Sequence, residues 1–138
     1  MNFERFFKRR WPPPPPLRGA PAVRRQKTYS AQTGYVYQYY YEGYRESGRA
    51  GQPGHEYVFQ VSSDRKSSFP VTVFLPGVAV GAWQRAHGRE LTPTEQYAAV
   101  KMALFEALDQ RADLGPASAE VEIGAASIDG LLEILEID

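Results

Sequence analysis

The sequence contains no cysteine, only two histidines and no long run of apolar residues. Without cysteine the chain cannot form disulfide bonds, thiolate nucleophiles or cysteine-ligated zinc sites, and His55 and His87 leave little for a histidine-based metal site. A membrane-spanning helix needs a run of about 18 apolar residues, so the sequence predicts none. We therefore expect no metal site, no cofactor and no transmembrane segment.

Motifs that support catalysis are also scarce. Ser62 and Asp64 could join a histidine in a nucleophilic triad, but serine near aspartate is ordinary turn composition and no G-x-S-x-G motif surrounds them. The glycine-rich stretch 48–54 precedes a predicted strand and not a helix N-terminus, so it indicates a hairpin loop and not a phosphate-binding loop. Glu42 and Glu56 are expected to be solvated and not a coupled acid–base pair. The sequence therefore predicts no catalytic residue and favours a protein that is not an enzyme.

Composition and charge divide the chain into two parts. The 138 residues are 43% hydrophobic and 13% aromatic, which is sufficient for one packed domain with a tail. Residues 1–28 hold eight of the 16 basic residues but only one acidic residue, so they carry a net charge of +7 and residues 29–138 carry −7. We interpret residues 1–28 as a basic N-terminal arm and residues 29–138 as a single α+β domain. Such an arm points to an anionic partner.

The arm combines aromatic, cationic and proline residues. A short helix over residues 2–11 would place four aromatic side chains on one side, and so short a helix is expected to order only on contact with a partner. Residues 12–16 are prolines, which predict a polyproline II rod that acts as a spacer or, through a PxxPxR pattern ending at Arg18, as a ligand. The predicted partner-binding residues are Phe3, Phe6, Phe7, Arg9, Arg10, Trp11, Arg18, Arg24 and Arg25.

Alternating apolar residues predict an antiparallel meander in the domain. Three strands are expected over residues 35–44, 56–62 and 69–75, each with one strongly apolar face and one mixed face. The odd-numbered tyrosines of the first strand align with the apolar faces of the other strands, so we predict a core containing Tyr35, Tyr37, Tyr39 and Tyr41. On the mixed face, the residues that would form an exposed contact patch are Tyr40, Tyr44, Val58 and Phe74.

Helix signals follow the third strand. A short helix over residues 78–87 should end at Gly88, and Thr92, Pro93 and Glu95 form the capping pattern of a long helix over residues 93–111. Residues 119–123 alternate as a fourth strand, whereas residues 127–136 fit a helix or a strand equally well. The predicted fold class is therefore α+β: an antiparallel three- to four-stranded meander with one face covered by a short helix and a long helix in the C-terminal half, preceded by an extended N-terminal arm.

These features favour a non-enzymatic accessory or adaptor protein whose arm docks onto a larger assembly or an anionic surface. A protein assembly is the partner that we expect first. One alternative is RNA or DNA binding, with the arm contacting phosphates and tyrosines stacking on bases. A second alternative is peripheral association with an anionic membrane surface. The arm itself could also be a solubilising tail, or it could fold back onto the acidic domain. No export or lipidation signal is visible, so we expect a cytoplasmic location.

Overall fold

A computed structural model describes residues 15–49, 51–111, 114–115, 119–124 and 127–138. These residues form one five-stranded sheet and three helices. In chain order the elements are β1 (Lys27–Ser30), β2 (Val36–Arg49), β3 (Gln52–Ser62), β4 (Phe69–Pro76), α1 (Gly77–His87), α2 (Pro93–Gln110), β5 (Glu120–Glu122) and α3 (Ile128–Ile134). The predicted α+β class is confirmed.

The strands lie in the order β1-β2-β3-β4-β5, and the first four are antiparallel to their neighbours. β5 pairs with β4 in parallel, and α1 and α2 lie in the crossover that such a pairing requires. The prediction of three to four antiparallel strands was therefore wrong in the number of strands and in the direction of the last one. A strand of three residues such as β5 shows too little alternation to reveal its pairing.

The first strand, β1, spans the predicted boundary between the arm (residues 1–28) and the domain (residues 29–138), where the sequence predicts no strand. Its tyrosine, Tyr29, stacks on Phe105 of α2 with 4.2 Å between ring centroids, and its hydroxyl donates to Asp109 Oδ2 at 2.7 Å. Burial and this hydrogen bond to a carboxylate raise the pKa of Tyr29 to about 12. Contacts with a helix 80 residues later in the chain therefore stabilise β1, and four residues of local sequence give no sign of them.

The apolar faces of β2, β3 and β4 form the core against the helices, as the alternation predicts. Tyr37 and Tyr39 are buried in this core, and Tyr41 is partly buried against it. Tyr35 is 48% exposed, so its predicted place in the core was wrong. The reason is that β2 begins at Val36, and Tyr35 lies in the turn before the strand, where alternation no longer determines the side-chain direction.

Local sequence signals place the helix ends accurately. The hydroxyl of Thr92 accepts from the backbone N–H of Glu95 at 3.2 Å, and the Glu95 carboxylate accepts from the Thr92 N–H at 3.0 Å, which completes the predicted capping box of α2. Gly88 ends α1 with a left-handed φ of 68°. Residues 127–136, which the sequence left open between helix and strand, contain α3.

A β-bulge in β2 changes the face that its later residues occupy. Tyr41 lies opposite Phe59, yet Tyr44, three residues later, lies opposite Tyr57 on the same face. Gly43 permits the bulge, because its φ is +134° and an added Cβ would lie 2.6 Å from the carbonyl oxygen of Arg18. Tyr44 therefore packs against the core side of the sheet and not on the mixed face that strict alternation predicts.

The mixed face is less exposed than the sequence predicts. Val58, Phe74 and Glu56 are 5%, 1% and 2% exposed. The guanidinium of Arg49 lies 5.4 Å from the ring centroid of Phe74, and it also pairs with Glu56. Arginine side chains of the β2–β3 hairpin thus cover this part of the sheet. The predicted exposed patch is wrong for Val58 and Phe74, and the prediction that Glu56 is solvated is also wrong.

Candidate tyrosine-lined binding cleft

Part of the predicted partner-binding set can be placed in the structure. Arg18, Arg24 and Arg25 are exposed and lie in the segment that runs along the edge of β2. The remaining six residues, Phe3, Phe6, Phe7, Arg9, Arg10 and Trp11, lie outside the described residues. The structure therefore shows where the second half of the arm meets the domain.

Two anchors hold this segment on β2. At one end, Arg18 and Tyr44 exchange backbone hydrogen bonds of 2.7 and 2.8 Å, and at the other end Lys27 lies opposite Tyr39 in the sheet. Eight residues, 19–26, span a stretch where β2 has only four, 40–43, so the segment must bend away from the strand. We call residues 18–27 the basic arch. The space between the arch and β2 opens onto the first turns of α2.

Two adjoining cavities, of about 430 and 310 Å³, occupy this space and share Tyr41 and Tyr97. We call them together the tyrosine cleft. The cations that line the cleft are Arg18, Arg25 and Lys27, and among the described lining residues none is aspartate or glutamate. Six tyrosines line it: Tyr39, Tyr40, Tyr41, Tyr44, Tyr57 and Tyr97. The cleft is therefore both aromatic and cationic.

The tyrosine rings contact one another and form a continuous wall. The centroids of Tyr41 and Tyr97 are 4.8 Å apart, and those of Tyr44 and Tyr57 are 5.7 Å apart. The guanidinium of Arg18 lies 5.2 Å from the centroid of Tyr44. Tyr41, Tyr44 and Tyr97 are only partly buried, so these three rings leave surface for a ligand. Their packing against neighbours fixes the rings before any ligand arrives.

Burial raises the pKa of three phenols of this wall, those of Tyr41, Tyr57 and Tyr97, further above neutral pH. The pKa of Tyr57 rises to about 12, with a further contribution from Tyr44. A neutral phenol can donate as well as accept a hydrogen bond. At neutral pH the cleft thus presents aromatic surface and hydroxyl groups without negative charge.

A second cationic element lies beside the cleft. Lys101 of α2 has its ammonium 5.9 Å from the ring centroid of Tyr39 and 5.9 Å from that of Phe105. Burial lowers the pKa of Lys101, and the like charge of Lys27 lowers it further. Within the described part of the chain, neither lysine has a carboxylate partner. Two adjacent ammonium groups of this kind favour an anion between them.

The two arginines of the β2–β3 hairpin are already paired with carboxylates. Glu56 accepts from Arg45 Nε at 3.0 Å and from Arg49 Nη2 at 2.6 Å, and Arg49 Nη1 donates to Glu120 at 2.6 Å. Burial alone would raise the pKa of Glu56, but its hydrogen bonds to the two arginines outweigh burial and lower that pKa. This cluster is therefore a structural ion-pair network and not a free anion site.

The arch itself differs from that network. Arg24 pairs with Glu42 at 3.8 Å and lies 5.6 Å from the ring centroid of Tyr40. In contrast, Arg18 and Arg25 form no ion pair with any described residue. The guanidinium groups of Arg18 and Arg25 are therefore available to an anionic partner, as their predicted role requires. Of the predicted patch, Tyr40 and Tyr44 line the cleft, from opposite faces of β2.

Sequence reasoning missed the contribution of Tyr57 and Tyr97. The alternation places Tyr57 in the core, and the helical stripe places Tyr97 there too, so neither suggests a binding surface. Tyr97 lies in the first turns of α2 and lines the cleft there, which the helical pattern alone does not indicate. The bulge at Gly43 was needed to bring Tyr44 to the same side.

The remaining candidates do not assemble into a reactive centre. His55 contacts the ring of Tyr44 at 5.7 Å between centroids, and His87 stacks on Trp83 at 4.1 Å and lies 3.1 Å from Asp129 Oδ1. Among the residues that the structure describes, no three histidine or carboxylate side chains are grouped to hold a metal ion. No helix in that part of the chain is both long enough and apolar enough to cross a membrane.

Comparison of the chain with protein families, with curated proteins and with solved structures finds no match. Function is therefore inferred from the geometry and the charge of the tyrosine cleft.

Proposed function

We propose that this chain is a non-enzymatic adaptor that docks onto an anionic partner through the basic arch and the tyrosine cleft. One observation carries the proposal. The cations that line or border the cleft without an ion pair to a described residue are Arg18, Arg25, Lys27 and Lys101. In contrast, Arg24, Arg45, Arg49 and Arg89 are paired with glutamates. Cations that the fold leaves unpaired beside an aromatic surface are suited to an external anion.

The aromatic wall supplies the other part of a docking site. Tyrosine and arginine are the side chains that contribute most often to binding energy at interfaces, because they offer large surfaces and hydrogen bonds. Here Tyr41, Tyr44 and Tyr97 are already fixed by ring contacts, so binding costs little side-chain entropy. In this proposal, residues 1–17 add further cations and the predicted aromatic anchors Phe3, Phe6, Phe7 and Trp11 to the same interface.

Affinity capture from a lysate with matched charge variants of the full chain tests the proposal. The variant Arg25→Glu reverses one cation of the arch. The control Arg85→Glu changes the net charge equally at another exposed position. We expect the arch variant to lose partners that the wild-type chain and the control retain. Capture of the same partners by all three chains would contradict the docking role of the arch.

A membrane test separates the peripheral-membrane alternative. Flotation of the wild-type chain with anionic liposomes, lost on Phe6→Glu, would favour that alternative. We expect no flotation, because the tyrosine cleft is a concave site bordered by the sheet, α2 and the arch, and such a site suits a narrow ligand better than a flat bilayer surface.

A further inference from the structure

We infer that the ligand of the tyrosine cleft is single-stranded nucleic acid, with bases stacked on tyrosine rings and phosphates bound by the basic arch. This inference rests on the proposed docking role of the cleft and adds the class of its ligand. It follows from three features that occur together along β2: partly exposed rings, unpaired cations and a buried polar group without a partner.

The rings fit the demands of base stacking. Proteins that bind single strands use aromatic side chains as platforms, because every base has a π-face. Tyr41, Tyr44 and Tyr97 are partly exposed and line the cleft from β2 and α2. Burial raises the pKa of Tyr41 and of Tyr97, so these two phenols carry no charge at neutral pH. A neutral ring does not repel the phosphates of a bound strand.

The cations fit the demands of a phosphate backbone. Arg18 lies at one end of the cleft, and Arg25 and Lys27 lie at the other, so positive charge follows the whole length of the aromatic wall. Lys101 adds a fourth cation beside Tyr39. A single strand placed along β2 would bring a phosphate to each end while its bases contact the rings.

A third cavity adjoins the cleft on the opposite face of β2. It measures about 200 Å³ and shares Tyr39 and Tyr40 with the second cavity of the cleft. Gln38 lines it, is 5% exposed, and its buried Oε1 has no hydrogen-bond partner in the described part of the chain. A buried amide oxygen without a donor is costly, and rotation of the Gln38 side chain would let it accept from a base N–H, such as N3–H of uracil or thymine.

The charge of the cleft argues against the chain's own polyproline segment as its ligand. That segment is flanked by arginines on both sides, whereas the described lining contains cations and no carboxylate. Double-stranded nucleic acid satisfies the cations but keeps its bases stacked inside the helix, out of reach of the tyrosines. An acidic peptide likewise satisfies the cations and leaves the aromatic wall with little to stack on. Of these four candidate ligands, an unpaired strand uses both the cations and the aromatic wall.

Fluorescence anisotropy with labelled oligouridylate and oligothymidylate tests the inference on the full chain. We expect Tyr44→Ala and Tyr97→Ala each to weaken binding by about 5- to 150-fold, the range measured for loss of one stacked base. The variants Tyr44→Phe and Tyr97→Phe keep the ring and should bind within about two-fold of wild type. They also control for folding, because retained binding shows an intact cleft.

Charge and strand dependence complete the test. Arg25→Ala should reduce the slope of log K against log salt concentration by about 0.7, the value for one phosphate of a single strand, and Arg85→Ala should leave the slope unchanged. A duplex of the same sequence should bind more weakly than the single strand. The comparison of oligouridylate with oligothymidylate shows whether RNA or DNA is the better ligand.

Three results would overturn the inference. Equal binding of duplex and single strand, with no loss in the alanine variants, would show electrostatic attraction without stacking. Absence of nucleic-acid binding, while the arch variant still loses captured protein partners, would refute the ligand class and leave the docking role intact. Absence of both kinds of binding would refute the docking role as well.

Discussion

The buried carboxylate of Glu56 offers the sharpest test of how the sheet is held together. Glu56 is 2% exposed and accepts hydrogen bonds from Arg45 at 3.0 Å and from Arg49 at 2.6 Å. Glu56→Gln keeps the size of the side chain but removes its charge. Arg45, whose side chain is only 20% exposed, would then lose its counter-charge, and Arg49, whose side chain is 23% exposed, would lose one of its two.

Removing one partner of a buried ion pair costs about 3–5 kcal/mol, because the other charge remains desolvated and unpaired. Arg49 keeps its bond to Glu120, and both arginines reach some solvent, so the lower end of the range applies. An unfolding entropy of about 2.1 cal/mol/K per residue over 138 residues gives roughly 0.3 kcal/mol per degree. A loss of about 3 kcal/mol therefore lowers Tm by about 10 °C.

Thermal unfolding followed by circular dichroism at neutral pH measures this loss. Glu46→Gln is the matched control, because Glu46 is an exposed residue of the same hairpin, and we expect its Tm to stay within about 2 °C of wild type. A Tm for Glu56→Gln equally close to wild type would refute the argument that the Glu56 network stabilises the sheet.

The pH dependence gives the same test a second readout. The pKa of Glu56 is lower in the folded chain than its ordinary value, so its stabilising contribution is complete above that ordinary value and is lost as pH falls through the folded-state pKa. Wild-type stability should decline as pH falls below about 4.5, and Glu56→Gln should show a shallower decline because it has already lost this contribution.

Three further predictions test the local structure. Gly43→Ala should destabilise the chain by more than about 1 kcal/mol, since the new Cβ would lie 2.6 Å from the Arg18 carbonyl oxygen. Gly130→Ala places its Cβ in open space within α3 and should stabilise the chain by about 0.5–1 kcal/mol. Denaturant unfolding compares the two variants, and equal stabilities would contradict the bulge geometry. Thr92→Ala removes one half of the α2 capping box and should cost about 1 kcal/mol, or about 3 °C in Tm by calorimetry, and no change would show that the cap is unimportant. In an alkaline titration, phenolate absorbance should appear at higher pH in the folded chain than in the unfolded chain, because the pKa of six of the nine tyrosines is raised. The free energy of unfolding should therefore fall as pH rises above 10. Coincident titration curves would contradict the burial of these phenols.

Local signals in the sequence were sufficient for the elements that they control directly. Thr92, Pro93 and Glu95 predict the start of α2 because a capping box acts within four residues. Alternation predicts the burial of Tyr37 and Tyr39 because strand neighbours share a face. These parts of the fold depend on interactions that are short in sequence.

The parts that could not be predicted depend on contacts between distant residues. Tyr44 changes face because Gly43 makes room for the backbone of Arg18, and no period of two reveals an inserted residue. Glu56 is buried because Arg45 and Arg49 neutralise it, although a glutamate alone indicates a solvated position. The cleft itself exists because the basic arch, for which the sequence predicts no contact with the sheet, is anchored to β2 at both ends.

The claim that the tyrosine cleft is the docking surface is tested most directly by nuclear magnetic resonance of the full chain titrated with oligouridylate. The proposed site predicts that the largest shifts fall on the ring signals of Tyr41, Tyr44 and Tyr97 and on the amides of residues 18–27. Shifts confined to another cationic region, such as residues 85–89, or no shifts at saturating ligand, would contradict it.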